Sequence, residues 1–163
     1  MKKTPTTFAQ RGAMSVDAML ISGFAMVALI FIISQGPTLA YKWNKIQFST
    51  DVSNIISATR DWKKRRPNYE GVSLEKICVV TDLSDSVCGL SGDGKSTNSF
   101  GGDWTVTVNA SKGLFDIVAT LPNDIDRLAD IADTMAPSTR GGCIEAAGCP
   151  TISAGSDRVT MSF

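Results

Sequence analysis

The chain has no histidine among its 163 residues. That absence removes Ser-His-Asp and Cys-His catalysis and the metal sites that need imidazole. Nor is there a surplus of either charge: 16 Lys and Arg face 16 Asp and Glu. A general nucleic-acid binder carries a basic excess, so this balance speaks against one. There is no Cys-x-x-Cys. The four cysteines form two loosely spaced pairs, Cys78 with Cys88 and Cys143 with Cys149, which fit neither a zinc knuckle nor a dithiol redox motif. The acids near Asn123, Asp124 and Asp126 lack the Gly and the closing Glu of a calcium loop. No segment repeats, and no two carboxylates stand out as an acid–base pair. No catalytic residue, metal site or cofactor is expected.

One motif must be weighed against that expectation. Gly89-Leu-Ser-Gly-Asp-Gly94-Lys95-Ser96 satisfies the phosphate-binding pattern G-x-x-x-x-G-K-[ST]. Such a cradle works only between a strand and a helix, where backbone N–H groups converge on the phosphates. The residues that follow, Thr97 to Trp104, make a poor helix start. The segment is read as a Gly/Ser-rich loop spanning 89–102.

The most informative feature is the order of residues at the N-terminus. A basic leader with Lys2, Lys3 and Arg11 ends at Gly12. Four neutral residues follow, Ala13 to Val16, then the carboxylate Asp17, then 17 uncharged residues from Ala18 to Ser34. Without the leader's three cations, 13 basic residues face 16 acidic ones, a net charge of −3. Three readings compete. A secretory signal peptide would be cut after Thr38-Leu39-Ala40, but its apolar region should be shorter than this one. A plain membrane anchor needs more length: 17 residues rise about 26 Å against a hydrocarbon core of ~30 Å. Extending it backwards draws Asp17 into the bilayer, where a carboxylate costs roughly 2.5–3.5 kcal/mol. The third reading is a leader cut between Gly12 and Ala13, which leaves Asp17 as the fifth residue of the mature chain.

The pattern of basic leader, Gly12, four neutral residues, Asp17 and apolar run resembles the N-terminus of type IV prepilins. The family carries Glu at the fifth mature position; Asp17 keeps the charge on a side chain one methylene shorter. It also usually begins with Phe or Met where Ala13 stands. The resemblance implies cleavage at Gly12–Ala13 by a prepilin peptidase. It gives Asp17 a role in setting axial register, by meeting the N-terminal amine of a neighbouring subunit. Asp17 also lies one turn from its own Ala13 amine and near a helix start, where negative charge is favourable. The implied partners are further copies of the chain in a homopolymer, an assembly ATPase with its inner-membrane platform, and an outer-membrane secretin. The implied location is the inner membrane, single-pass with a periplasmic head, and then an extracellular pilus. Conjugation, adhesion and aggregation are all open as roles of such a fibre.

Beyond the apolar run, Gly36-Pro37 should kink or melt the helix, because Pro removes a backbone donor and crowds the preceding turn. The helical pattern then resumes. Tyr41, Phe48, Val52, Ile55, Thr59 and Trp62 fall on one face, with Lys42, Lys45, Asp51, Asn54 and Asp61 opposite. Residues 13–65 as one straight helix would span about 80 Å. Lys63-Lys64-Arg65-Arg66 before Pro67 reads as a helix end, since cations suit a C-terminus and Pro terminates it. The other reading of this run, a DNA-contacting patch, lacks interleaved stacking aromatics.

The resulting division is a leader at 1–12, an apolar stem helix at 13–36, an amphipathic second half at 37–66 and a globular head at 67–163. In the head, Ile77–Thr81 is read as a strand. Trp104–Asn109 and Leu114–Leu121 are read as a hairpin closed by Ser111-Lys112-Gly113, and Asp157–Phe163 as the last strand. A helix is expected from Asn123 as N-cap, with Ile125, Leu128, Ala129, Ile131, Ala132 and Met135 on its apolar face. The fold class is therefore α+β: a long N-terminal helix packed on an antiparallel sheet, similar in architecture to type IVb pilin heads, including enterobacterial and conjugative thin-pilus major pilins.

An even cysteine count beyond an export segment reads as disulfides. Four cysteines allow three pairings. The local pairs, Cys78–Cys88 and Cys143–Cys149, are closest in sequence and are favoured. The resemblance instead implies a disulfide fencing a C-terminal region, as Cys78–Cys149 nested around Cys88–Cys143 would do. Two further functions stand beside the pilin. One is a minor pilin or type II secretion pseudopilin; the other is an uncleaved, membrane-tethered periplasmic binding domain.

Overall fold

A computed structural model describes residues 16–64 and 66–163. The leader and the Gly12–Ala13 junction lie outside the described residues. The chain divides into two compact units between Ala40 and Tyr41.

The first helix, α1, runs from Val16 to Lys63. Asp17 sits in its first turn, and Arg60 and Lys63 in its last, each charge at the end the helix dipole favours. Of the two outcomes expected at Gly36-Pro37, melting does not occur: α1 continues through it, with Pro37 inside the helix. A proline's fixed φ is itself helical, so what is lost is the single backbone bond that Pro37 cannot donate to the Ile33 carbonyl. Lys63 and Arg66 close the C-terminal end. The Arg66 guanidinium lies 3.9 Å from the Trp62 ring and donates to the Trp62 carbonyl, while Lys63 lies 4.6 Å over Tyr69.

In the second unit the apolar stripe of α1 is buried as its spacing requires: Phe48, Val52, Ile55, Thr59 and Trp62 are all covered, and Tyr41 is half-covered. The sheet has four antiparallel strands in the order β1-β2-β4-β3: β1 Trp104–Val108, β2 Phe115–Thr120, β3 Ile152–Ala154 and β4 Arg158–Ser162. Period-two alternation puts one face inward. Val106, Ile117, Met161 and Ile152 form a continuous buried row across all four strands, in register. The β1–β2 hairpin forms as expected, with Asn109 N–H donating to the Leu114 carbonyl at 3.2 Å. Residues of α1, the sheet and the short helices share one core.

Four elements differ from the sequence reading. Ile77–Thr81 is not a strand: Ile77–Val80 end a helix, α2, Leu74–Val80, and Thr81 is its C-cap. Ser73 caps it, accepting from Lys76 N–H, and the buried Leu74 and Ile77 stand three apart, as a helix face requires. A one-turn helix, α3, Asp85–Cys88, follows. The late helix, α4, spans Leu128–Met135 and is preceded by a 3₁₀ turn, Ile125–Arg127, whose N-cap is Asp124 rather than Asn123. Leu128, Ile131, Ala132 and Met135 are buried as expected, whereas Ile125 and Ala129 are exposed. The edge strand β3, three residues long, carried too little pattern to be seen.

The local disulfide pairing is the one formed: Cys78–Cys88 and Cys143–Cys149. The first staples α2 to α3, and the second closes a five-residue surface loop. The nested alternative is excluded by these bonds.

Candidate functional site

From Val16 to Ala40 every residue of α1 is exposed within the single chain. This segment includes an 18-residue stretch of mean hydropathy 2.5, none of it covered. It is long and apolar enough to cross a membrane. Its polar groups are handled internally: Ser22 Oγ donates to the Met19 carbonyl at 2.9 Å, and Ser34 Oγ to the Phe31 carbonyl at 2.8 Å. Neither hydroxyl therefore needs water, which a hydrocarbon environment could not supply. Val16, Met19, Leu20, Gly23, Phe24 and Val27 line a shallow groove, and nothing lies within 4 Å of where a Cβ on Gly23 would be. A small residue in a ridge of large ones lets another helix approach closely. Asp17 is the only ionisable side chain from Val16 to Ala40, and it is exposed.

The stem's second half is fixed to the head by three clamps that the sequence did not advertise. Asn98, buried in the Gly/Ser-rich loop, accepts from Phe100 N–H at 2.9 Å and Gly102 N–H at 3.1 Å. Its amide donates to the Thr120 carbonyl at 2.9 Å. This holds Phe100 against Tyr41 and Phe48, at ring separations of 6.0 and 5.5 Å. The neighbouring Ser99 donates to the Asn44 carbonyl of α1 at 2.9 Å. Gly102 is required here, because a Cβ would sit 2.0 Å from the Thr120 carbonyl oxygen.

The second clamp joins α1 to α4. Asp130 accepts from the Tyr41 hydroxyl at 2.5 Å and from Lys45 at 2.9 Å. These donors hold its carboxyl below the usual carboxylate range, Lys45 contributing most. The Tyr41 hydroxyl is driven well above its ordinary value, first by burial and then by Asp130. The Arg127 guanidinium covers the Tyr41 ring at 4.2 Å.

The third clamp is Asp51, which the charge pattern placed on the wet face of α1. It is buried instead, accepting from Gln47 at 3.0 Å and Ser86 at 3.1 Å. The cause is α3, whose buried Val87 and Cys88 bring Ser86 over the helix. Burial pushes the Asp51 carboxyl above the ordinary 3.8, partly offset by the bonds from Ser86 and Gln47. A raised acid pKa means the folded protein holds that proton more tightly than the unfolded chain. The resulting stabilisation is complete below pH 3.8 and is lost as pH rises through the folded value. Asp51→Asn keeps the acceptor and removes the charge. It should raise the melting temperature at pH 7 and leave it unchanged at pH 3, measured by circular dichroism on the full chain in detergent. A lower melting temperature at pH 7 would mean that the bonds to the anion outweigh its burial.

The phosphate-loop motif lacks its context. Gly89 follows the one-turn helix α3 rather than a strand, and near Ser96 the described residues form an isolated bridge from Thr97 to Asp103. Lys95 faces Asp93 at 3.9 Å. Among the described residues no three His, Cys, Asp or Glu side chains are grouped to hold a metal ion. Compared with protein-family models, curated proteins and solved structures, the chain finds no match.

Proposed function

We propose that the chain is the major structural subunit of a type IV pilus, released from a prepilin by cutting between Gly12 and Ala13. The observation that carries this reading is the exposed apolar helix from Val16 to Ala40, headed by the single carboxylate Asp17. In a lone soluble molecule that surface has no use. In a membrane, and then in a bundle of identical stems, it is buried throughout. The second half of the same helix is committed to a disulfide-stapled α+β head, so the chain offers one end for packing and the other for display. In this role it performs no catalysis and needs no cofactor. Its partners are its own copies, a prepilin peptidase, an assembly ATPase with its platform and a secretin.

N-terminal sequencing of the membrane-fraction and fibre-fraction protein tests the processing step. Ala13 as first residue is expected. Met1 would favour the uncleaved tether, and Tyr41 an ordinary secreted protein.

A further inference from the structure

We propose that Lys42, Trp43 and Ile46 of α1 dock on the phospholipid headgroup layer while the subunit waits in the membrane. This rests on the reading of α1 as a membrane span. Trp43 is 68% exposed and Ile46 62%, although both lie on a helix whose other face is core. Three residues apart, they point the same way. Beside them a cavity of about 470 Å³ is lined by Lys42, Lys45, Ile46, Ser49, Thr50 and Thr134. Lys45 is tied to Asp130, whereas Lys42 makes no ion pair among the described residues.

Chain length indicates the occupant. Past the 17 residues that end at Ser34 the chain stays uncharged as far as Tyr41, and counted to there the run rises about 36 Å as a helix, enough for a ~30 Å hydrocarbon core. Lys42 and Trp43 therefore come within about two turns of the point where the helix leaves the acyl chains. An indole is most stable at that depth, with its ring among the upper methylenes and its N–H in the headgroups. An ammonium beside it meets phosphate. The exposed Ile46 adds apolar area next to the groove. We therefore commit to the lipid surface as occupant; a second copy of the stem is the competitor.

The tryptophans make the test direct. Trp62 and Trp104 are each 4% exposed in the core of the head, so a quencher in lipid reaches Trp43 alone. The full chain is reconstituted in phosphatidylethanolamine–phosphatidylglycerol vesicles carrying bromines high on the acyl chains. Quenching should remove roughly a third of total tryptophan emission, one tryptophan in three at interfacial depth. Bromines deep in the bilayer should remove less, and Trp43→Phe should abolish the effect. Lys42→Glu should weaken it; unchanged quenching there would contradict the lysine's share. Flotation separates the two ways of failing. A chain that floats with the vesicles, yet is quenched only by aqueous acrylamide, overturns the docking and leaves the span intact. A floating chain quenched by neither agent has Trp43 covered by another copy, which also overturns it. A chain that does not float overturns the span, and the docking with it.

Discussion

Asp17→Ala should leave the chain in the membrane but lower the yield of surface fibres about a hundredfold, the equivalent of ~3 kcal/mol in an association equilibrium. The two halves of that expectation have opposite physical origins. Removing a carboxylate from the head of an apolar span relieves a penalty that reaches roughly 2.5–3.5 kcal/mol only at the bilayer centre, so membrane residence is unharmed or slightly improved. What is lost is the reason to leave the lipid in register, because a bare apolar helix packs on its neighbours at any axial offset. Asp17 lies in the first turn of α1 and is exposed, so in the proposed fibre it is open to a cation from another chain. Asp17→Glu should retain fibres, since it keeps the charge, and Asp17→Asn should behave like Asp17→Ala. Sheared-fibre yield against total subunit by immunoblot reads the result. Normal fibres from Asp17→Ala would remove the register role.

Phe48→Ala should cost the head about 3–5 kcal/mol of stability, the range for deleting a buried aromatic. Phe48 is 1% exposed, stacks on Trp104 of β1 at 4.8 Å and touches Phe100 at 5.5 Å. It is thus where α1, the sheet and the Asn98 loop meet. A hole there lets the loop release Asn44 and Tyr41, so the Asn98 and Asp130 clamps loosen together. The surface substitution Lys112→Ala, which removes an exposed pair with Glu70, should cost less than about 1 kcal/mol. Urea unfolding of the full chain in detergent, followed by tryptophan fluorescence, measures both. Equal midpoints for Phe48→Ala and the unaltered chain would mean that α1 does not contribute to the core.

Some of this architecture was legible because its physics is periodic and local. The stripe from Phe48 to Trp62 repeats at helical spacing, and the Trp104–Val108 and Phe115–Thr120 alternation buries one face. The basic run before Pro67 marks a helix end. Leu74–Val80 misled because Val79, Val80 and Thr81 are β-branched and alternate with nothing that settles the period over seven residues. The capping by Ser73 and the bond from Cys78 to Cys88 decided it. Asp51 misled because charge periodicity describes one helix alone and cannot see α3 folding over it. Asn98 left no trace at all: an asparagine in a Gly/Ser loop reads as solvent-facing until its three bonds to backbone groups are visible. The proposed function rests on a different kind of signal: the order Gly12, Asp17 and apolar run is linear, so the proposal draws on no contact within the fold.

The account turns on the claim that these stems pack against one another in a fibre. Electron micrographs of shed surface filaments, with mass spectrometry of their main subunit, test it most directly. The expected result is a thin filament whose dominant component is this chain beginning at Ala13, with both disulfides intact. A chain that keeps its leader and stays monomeric in the envelope, with no filament containing it, would contradict the account.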